Sequence, residues 1–152
     1  MWFTFAAMLS KKTQYALKAL SYLAARQDQG PVLITDIAEQ KKIPIKFLEN
    51  ILLELKNAQI LGSKKGRGGG YFLRNAPDKT SLATVIRVVD GPIALLPCVS
   101  LYFYQKCADC TEEVCPINAV FVQVRDATLA VLESKTLEDI QDFVPEAIDF
   151  SI

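Results

Sequence analysis

Leu33-Ile34-Thr35-Asp36-Ile37-Ala38-Glu39-Gln40-Lys41-Lys42-Ile43-Pro44-Ile45-Lys46-Phe47-Leu48-Glu49-Asn50-Ile51-Leu52-Leu53-Glu54-Leu55 is the stretch around which the rest of the chain is organised. Thr35 is placed to cap a short helix, with Asp36 and Glu39 near its positive end. Pro44 breaks that helix after Ile43, because a residue before proline avoids helical dihedrals, and proline suits the first position of a new helix. Two helices meeting at a sharp turn make a helix-turn-helix. In the second helix Leu48, Ile51, Leu52 and Leu55 recur at i, i+3, i+4, i+7 and should face a core. Lys46, Glu49, Asn50 and Leu53 lie on the opposite stripe. Lysine suits guanine, a carboxylate suits the cytosine amino group, and an amide suits adenine. Taken alone, the same pattern also fits an ordinary solvated helix face.

The next segment favours the DNA-reading interpretation. Ile60 to Lys65 and Tyr71 to Arg74 read as two short strands around Gly66-Arg67-Gly68-Gly69-Gly70. The glycines permit positive φ and close backbone approach. Lys64, Lys65, Arg67 and Arg74 make the hairpin basic, as a wing that meets phosphates and a minor groove would be. A nucleotide-phosphate cradle would need a strand-to-helix context, whereas this loop joins two strands.

Three runs carry a family resemblance: Lys65-Gly66-x-Gly68-Gly69-Gly70-Tyr71-x-Leu73, Ile43 to Leu48, and Met8-Leu9-Ser10-Lys11-Lys12-x-x-Tyr15-Ala16. Together they resemble the Rrf-two family of bacterial winged-helix transcription regulators, of the IscR, NsrR and CymR type, over residues 8 to 142. The resemblance implies a mainly α fold with a small β-hairpin wing: a winged helix-turn-helix followed by a long C-terminal dimerisation helix. It divides the chain into a DNA-binding part, 8–75, and a cysteine-loop and dimerisation part, 76–152, packed as one unit. Candidate DNA contacts are Lys11, Lys12, Pro44, Lys46, Glu49, Asn50, Lys64, Lys65, Arg67 and Gly68.

Composition agrees with this layout. The 152 residues are 51% apolar, ample for a core, and the net charge is zero. The charge is unevenly spread. Ser10 to Asn75 holds 12 Lys and Arg against 5 Asp and Glu, and Ala76 to Ile152 holds 5 against 12. A basic front and an acidic back orient a protein on a polyanion. Met1 to Ala7 is apolar but too short to span a membrane, and it lacks the basic start of a signal peptide. It reads as extra residues ahead of the family start at Met8. The expected location is cytoplasmic, with no membrane partner.

Ser10 is placed to cap a first helix to about Gln27, with Ala16, Ala19, Leu20, Leu23 and Ala24 as its buried stripe. Thr80 or Ser81 starts a helix carrying Leu82, Val85, Ile86 and Val89, stopped by Asp90-Gly91-Pro92. Pro116 starts a helix to about Ser134, some 28 Å long. Ile117, Val120, Phe121, Val124, Thr128 and Val131 line one face, and Val122, Leu129 and Leu132 lie off it. A helix apolar on two sides needs two partners. The second is expected to be another copy of the chain, through Val122, Leu129 and Leu132, giving a homodimer on a pseudo-palindromic double-stranded DNA operator. Thr136-Leu137-Glu138-Asp139 resembles a capping box for a last short helix ended by Pro145.

Cys98, Cys107, Cys110 and Cys115 fall in the aperiodic segment between Ile93 and Val114 or directly after it. Thiolates at such spacings suit zinc or an iron–sulfur cluster, and in a reducing compartment they more often bind metal or sense redox state than form structural disulfides. The resemblance implies three cysteine ligands to a cluster. Cys98 and Cys115 match the outer two, Cys110 matches the middle one, and Cys107 is an additional candidate. Some cluster-binding relatives complete the set with a histidine three residues after the last cysteine. That position here is Asn118, and the chain has no histidine. The leading expectation is therefore a DNA-binding regulator that senses iron–sulfur, redox or nitric-oxide status through a cysteine-ligated cluster. The alternatives are a zinc or thiol-switch regulator, and an electron-transfer protein that does not bind DNA. With no Ser-His or Cys-His pair available, an enzyme is not expected.

Overall fold

The computed structural model describes residues 9–142. The expectations placed on Met1 to Ala7 and on Pro145 lie outside them. The first helix, α1, spans Lys11–Ala24, and the Ser10 hydroxyl accepts the Thr13 amide at 3.1 Å as its cap. It stops short of Gln27, because Arg26 leaves helical dihedrals and Gln27–Gln29 forms a separate 3-10 turn before Gly30.

The second helix, α2, spans Ile34–Lys41, and its cap position is Leu33, with no side-chain cap. The expected Thr35 cap is thus corrected. Val32 exchanges two backbone hydrogen bonds of 2.8 Å with Tyr71, so the chain turns into the helix directly after this bridge, ahead of Thr35. Lys42 ends α2 in the left-handed region at φ 52. The third helix, α3, spans Ile45–Asn57, with Pro44 at the cap rather than at the first helical position. The Pro44 carbonyl accepts the Leu48 amide at 3.0 Å. Strands β1, Leu61–Lys64, and β2, Gly70–Leu73, pair antiparallel with Leu61 opposite Leu73 and Lys64 opposite Gly70.

Ser81 caps α4, Leu82–Val89, by accepting the Thr84 amide at 3.2 Å. The last helix, α5, spans Pro116–Ser134. The Asp139 carboxylate accepts the Thr136 amide at 2.8 Å, half of the expected box, but residues 137–140 form turns and not a helix. The Leu137 amide is committed elsewhere, to the Thr80 carbonyl at 3.1 Å, and Thr136 bridges Ser81.

One apolar cluster joins these elements. Leu20 of α1, Ile37 of α2 and Leu48, Ile51, Leu52 and Leu55 of α3 are essentially inaccessible to water, as are Leu61, Val85 and Leu137. Each buried aliphatic side chain of this size contributes about 1.5–3 kcal/mol. The core therefore fixes α3 by one face and leaves the other free.

Helix α5 is turned opposite to expectation. Leu129 is only 7% exposed, and Val122 and Leu132 are half-buried, so this row faces the molecule's own chain. Ile117, Val120, Val124 and Val131 are the exposed row. The assignment of Leu129 to a contact with a second chain is corrected accordingly, and Val122 and Leu132 flank it on the inward side. The physical reason lies in two polar ties. The Arg125 guanidinium donates to the Val99 carbonyl at 2.8 Å, and Arg87 of α4 pairs with Glu133 at 3.1 Å.

Candidate nucleic-acid interface and cysteine loop

The helix-turn-helix presents α3 by its polar stripe. Lys46, Glu49 and Asn50 are exposed, while the four apolar residues of the opposite stripe are buried. Pro44 is exposed at the turn, and Lys11 is exposed at the start of α1. Lys12 is half-buried and pairs with Glu54 of α3 at 2.5 Å, which ties the first turn of α1 to α3. Strand β1 packs on α3, so the hairpin is held beside that helix. Lys64, Lys65 and Arg67 are exposed, and Gly68 is exposed with φ 72. The tip is built by close approach. A Cβ at Gly69 would stand 2.3 Å from the Lys64 carbonyl oxygen, and one at Gly70 would stand 2.2 Å from that of Val32.

Two exposed apolar residues of α3 were given no role in the sequence: Phe47, and Leu53, which was placed on the outward stripe. Phe47 is 61% exposed and Leu53 is 52% exposed. The signal was present for Leu53, which falls on the polar stripe with Lys46 and Asn50.

The cysteine loop runs from the end of α4 to the start of α5. All four thiols are free and half-buried. Cys115 is the cap of α5, and its sulfur accepts the Asn118 amide at 3.5 Å. That backbone N–H is the main reason the Cys115 thiol is held below its ordinary pKa, against the opposing effect of burial. The Asn118 side-chain amide donates to the Cys98 sulfur at 3.5 Å. Asn118 therefore links the two outer cysteines. Hydrogen bonding with Cys107, then burial and the charge of Cys107, push the Cys110 thiol up to about 12. Glu112 gathers the loop by accepting the Tyr104 hydroxyl at 2.8 Å and the Cys107 amide at 3.1 Å.

Four thiols within one loop are a donor set that suits an iron–sulfur cluster or tetrahedral zinc. In the described conformation Asn118 bonds the sulfurs of Cys98 and Cys115. Among the described residues, no three His, Cys, Asp or Glu side chains converge as one metal ion would need. The expectation that Cys98, Cys107, Cys110 and Cys115 share one centre is thus not met by this conformation. Mutual repulsion of thiolates opposes such convergence unless a cation offsets it. The loop also exposes Leu101, Tyr102, Phe103 and Tyr104, with the Arg87 guanidinium over the Tyr102 ring at 4.5 Å.

The family described as Rrf2, iron-dependent transcriptional regulator, matches residues 9–142. An rrf2-like HTH-type transcriptional regulator of Rhodobacter capsulatus is 46% identical over 136 residues, covering 87% of this chain and 91% of the relative. The solved structure of CymR, the global cysteine regulator of B. subtilis, superposes with a TM-score of 0.73 at 30% identity, covering 88% of this chain and 95% of that one. IscR of T. potens superposes with a TM-score of 0.69 at 27% identity, covering 88% and 85%.

Proposed function

Because this chain belongs to the Rrf2 family of DNA-binding transcription regulators, and so is no enzyme, we propose that it reads double-stranded DNA with α3 and the β1–β2 wing under control of the cysteine loop. The observation that carries this reading is the division of α3: Leu48, Ile51, Leu52 and Leu55 are at most 1% exposed, while Lys46, Glu49 and Asn50 face water beside a basic hairpin. Lys46, Glu49 and Asn50 contact base edges. Lys11, Lys12, Pro44, Lys64, Lys65, Arg67 and Gly68 approach the backbone and the adjoining groove.

The chain acts as a homodimer in the cytoplasm on a pseudo-palindromic operator. The exposed row Ile117, Val120, Val124 and Val131 recurs at three-, four- and seven-residue spacing, as a helix seam against its own copy does. Among the described residues no helix is long and apolar enough to cross a membrane.

Cys98, Cys110 and Cys115, with Cys107 as the fourth donor, would hold an iron–sulfur cluster. The group would supply a redox- and nitric-oxide-sensitive centre when bound. A thiol–disulfide switch is the second reading, favoured by four free cysteines within one loop. Zinc would use the same donors.

The test starts from protein purified without air. Operator duplexes are selected from a random-sequence pool, and affinity is measured against salt. Sequence-selective binding with a steep negative salt slope is expected. Iron, sulfide, zinc and free-thiol contents are measured on the same protein, and operator affinity is compared before and after stripping or oxidation. Equal affinity in all states would make the loop structural.

A further inference from the structure

Helix α3 exposes three large apolar side chains: Ile45, 41% exposed at its first position, and, more fully, Phe47 and Leu53. Its other leucines and Ile51 are at most 1% exposed, yet Phe47 is 61% exposed and Leu53 is 52% exposed. Leu53 follows Lys46 and Asn50 at i+7 and i+3, so it lies on the centre of the polar stripe. Phe47 stands in the first turn, three residues before Asn50. Exposed Glu49 and Asn50 stand between Phe47 and Leu53, exposed Lys46 directly precedes Phe47, and Ile45 lies at the helix start, two residues before Phe47. The surroundings are basic as well, with Lys64, Lys65 and Arg67 on the neighbouring hairpin. Such apolar groups inside a frame of hydrogen-bonding and cationic groups complement a polyanion that carries isolated apolar groups of its own. The major groove of DNA does so at one chemical group, the thymine 5-methyl. An A·T pair presents, side by side, adenine N6 and N7 for an amide such as Asn50 and a methyl for an apolar neighbour.

We infer that Phe47 and Leu53 are specificity-determining residues that read thymine 5-methyl groups in the major groove, next to the adenine contact of Asn50. The inference rests on the DNA-binding reading above and adds what that reading lacks, an apolar component and a demand for A·T pairs at defined positions. Phosphate contacts position the helix, Asn50 selects the adenine, and removal of the methyl from water adds discrimination against cytosine, which has no methyl in that place.

The experiment removes only the methyl. Full-length protein is titrated against its selected operator and against duplexes in which one thymine at a time is replaced by deoxyuridine. Wild-type protein should lose about fourfold in affinity at one or two thymines per half-site, the ratio expected for burial of one methyl group. Phe47→Ala and Leu53→Ala should each bind the thymine duplex more weakly and become indifferent to uridine at one of those positions, a coupling that a merely structural residue would not show. Both side chains are exposed, so unchanged melting curves are expected, and Phe47→Leu should restore part of the methyl sensitivity. Selective wild-type binding that ignores every uridine replacement overturns the inference while leaving DNA recognition standing. So does an alanine variant that keeps the full wild-type sensitivity, or one that binds all duplexes like wild type, which would assign the two residues to a protein partner. Absence of salt-dependent DNA binding by the wild-type chain overturns the DNA-binding reading itself, and the inference with it.

Discussion

Gly70 shows how single residues hold the reading head together. Its φ is 143, and a Cβ there would press on the Val32 carbonyl oxygen at 2.2 Å, where Val32 and Tyr71 exchange their two hydrogen bonds. Backbone cannot yield as a side-chain tip would, so Gly70→Ala should cost about 1–3 kcal/mol of stability. Gly66 has φ 85 but open space around it, so Gly66→Ala should cost about 1 kcal/mol. Urea unfolding of both variants checks the order, and equal losses would count against the Val32 contact. Asp90 gives a pH dependence. It accepts the Ser10 amide at 3.1 Å and also the Ser10 hydroxyl. Burial alone would raise its pKa, but the Ser10 bonds, aided by Thr13 and Lys12, outweigh it and hold the carboxyl below the usual range. A depressed folded-state pKa gives stability that is present above the unfolded value of about 3.9 and lost as pH falls through the folded one. The stability difference between wild type and Asp90→Asn should therefore be flat from neutral pH to about 5 and shrink below about 4. A difference that grows in acid would contradict the sign. The cap Ser10 was legible in the sequence, and the α4 cap was narrowed to Thr80 or Ser81, because a hydroxyl at a helix start acts locally. The Thr35 cap was misplaced because the Val32–Tyr71 bridge, made to a residue far along the chain, decides where α2 begins.

Among the elements, α3 was read correctly as two-faced because one stripe is wholly apolar and the other is mostly polar. Helix α5 has two apolar stripes, and periodicity cannot say which one belongs to the molecule's own core. Arg125 decides it, a charged residue within the inward row that donates to the Val99 carbonyl. The structure places the Leu129 row inward, so for the proposed dimer the expected effects of substitution on the two stripes are exchanged. Val120→Glu and Val124→Glu place a charge on the exposed row, so they should yield folded monomers at micromolar concentration. Leu129→Glu buries a charge against the molecule's own chain and should cost more than about 3 kcal/mol, giving a lost or much lowered melting transition. Light scattering and thermal melts on the three variants separate the outcomes. A folded dimer of Val120→Glu would move the interface elsewhere.

At the scale of the whole molecule, the opposed charge of the two halves was visible in the residue counts, but the strap that joins them was not. After α5 the chain turns back across the helix-turn-helix. The Leu82 amide donates to the Lys135 carbonyl at 2.9 Å, and Leu137 is fully buried in the core shared by α1 and α3. Asp142 then meets two elements of the head. Its amide donates to the Ser21 carbonyl at 3.0 Å, its carboxylate accepts the Ser21 hydroxyl at 3.1 Å, and it pairs with Lys41 at 2.5 Å. Lys41 is the last residue of α2, directly before the left-handed Lys42 that sets the turn into α3. Partners 121 residues apart leave no local pattern, which is why no sequence periodicity announced this contact. The arrangement supplies a physical path from the cysteine loop to α3, the proposed reading helix: Cys115 caps the first turn of α5, α5 leads into the strap, and the strap holds the turn before α3. A path of contacts becomes coupling only if both ends bias one equilibrium. Asp142→Ala should therefore cost about 0.5–1.5 kcal/mol of stability through the lost hydrogen bonds. It should also bring the ratio of operator affinities between loaded and stripped or oxidised cysteine loops towards one, with DNA binding itself retained. Lys41→Ala removes the ion pair but leaves the Ser21 bonds, so it should lower the ratio less. The measurement is operator affinity of wild type and both variants in each loop state. A ratio unchanged by Asp142→Ala would route the coupling through the α5 seam between two copies instead of through the strap.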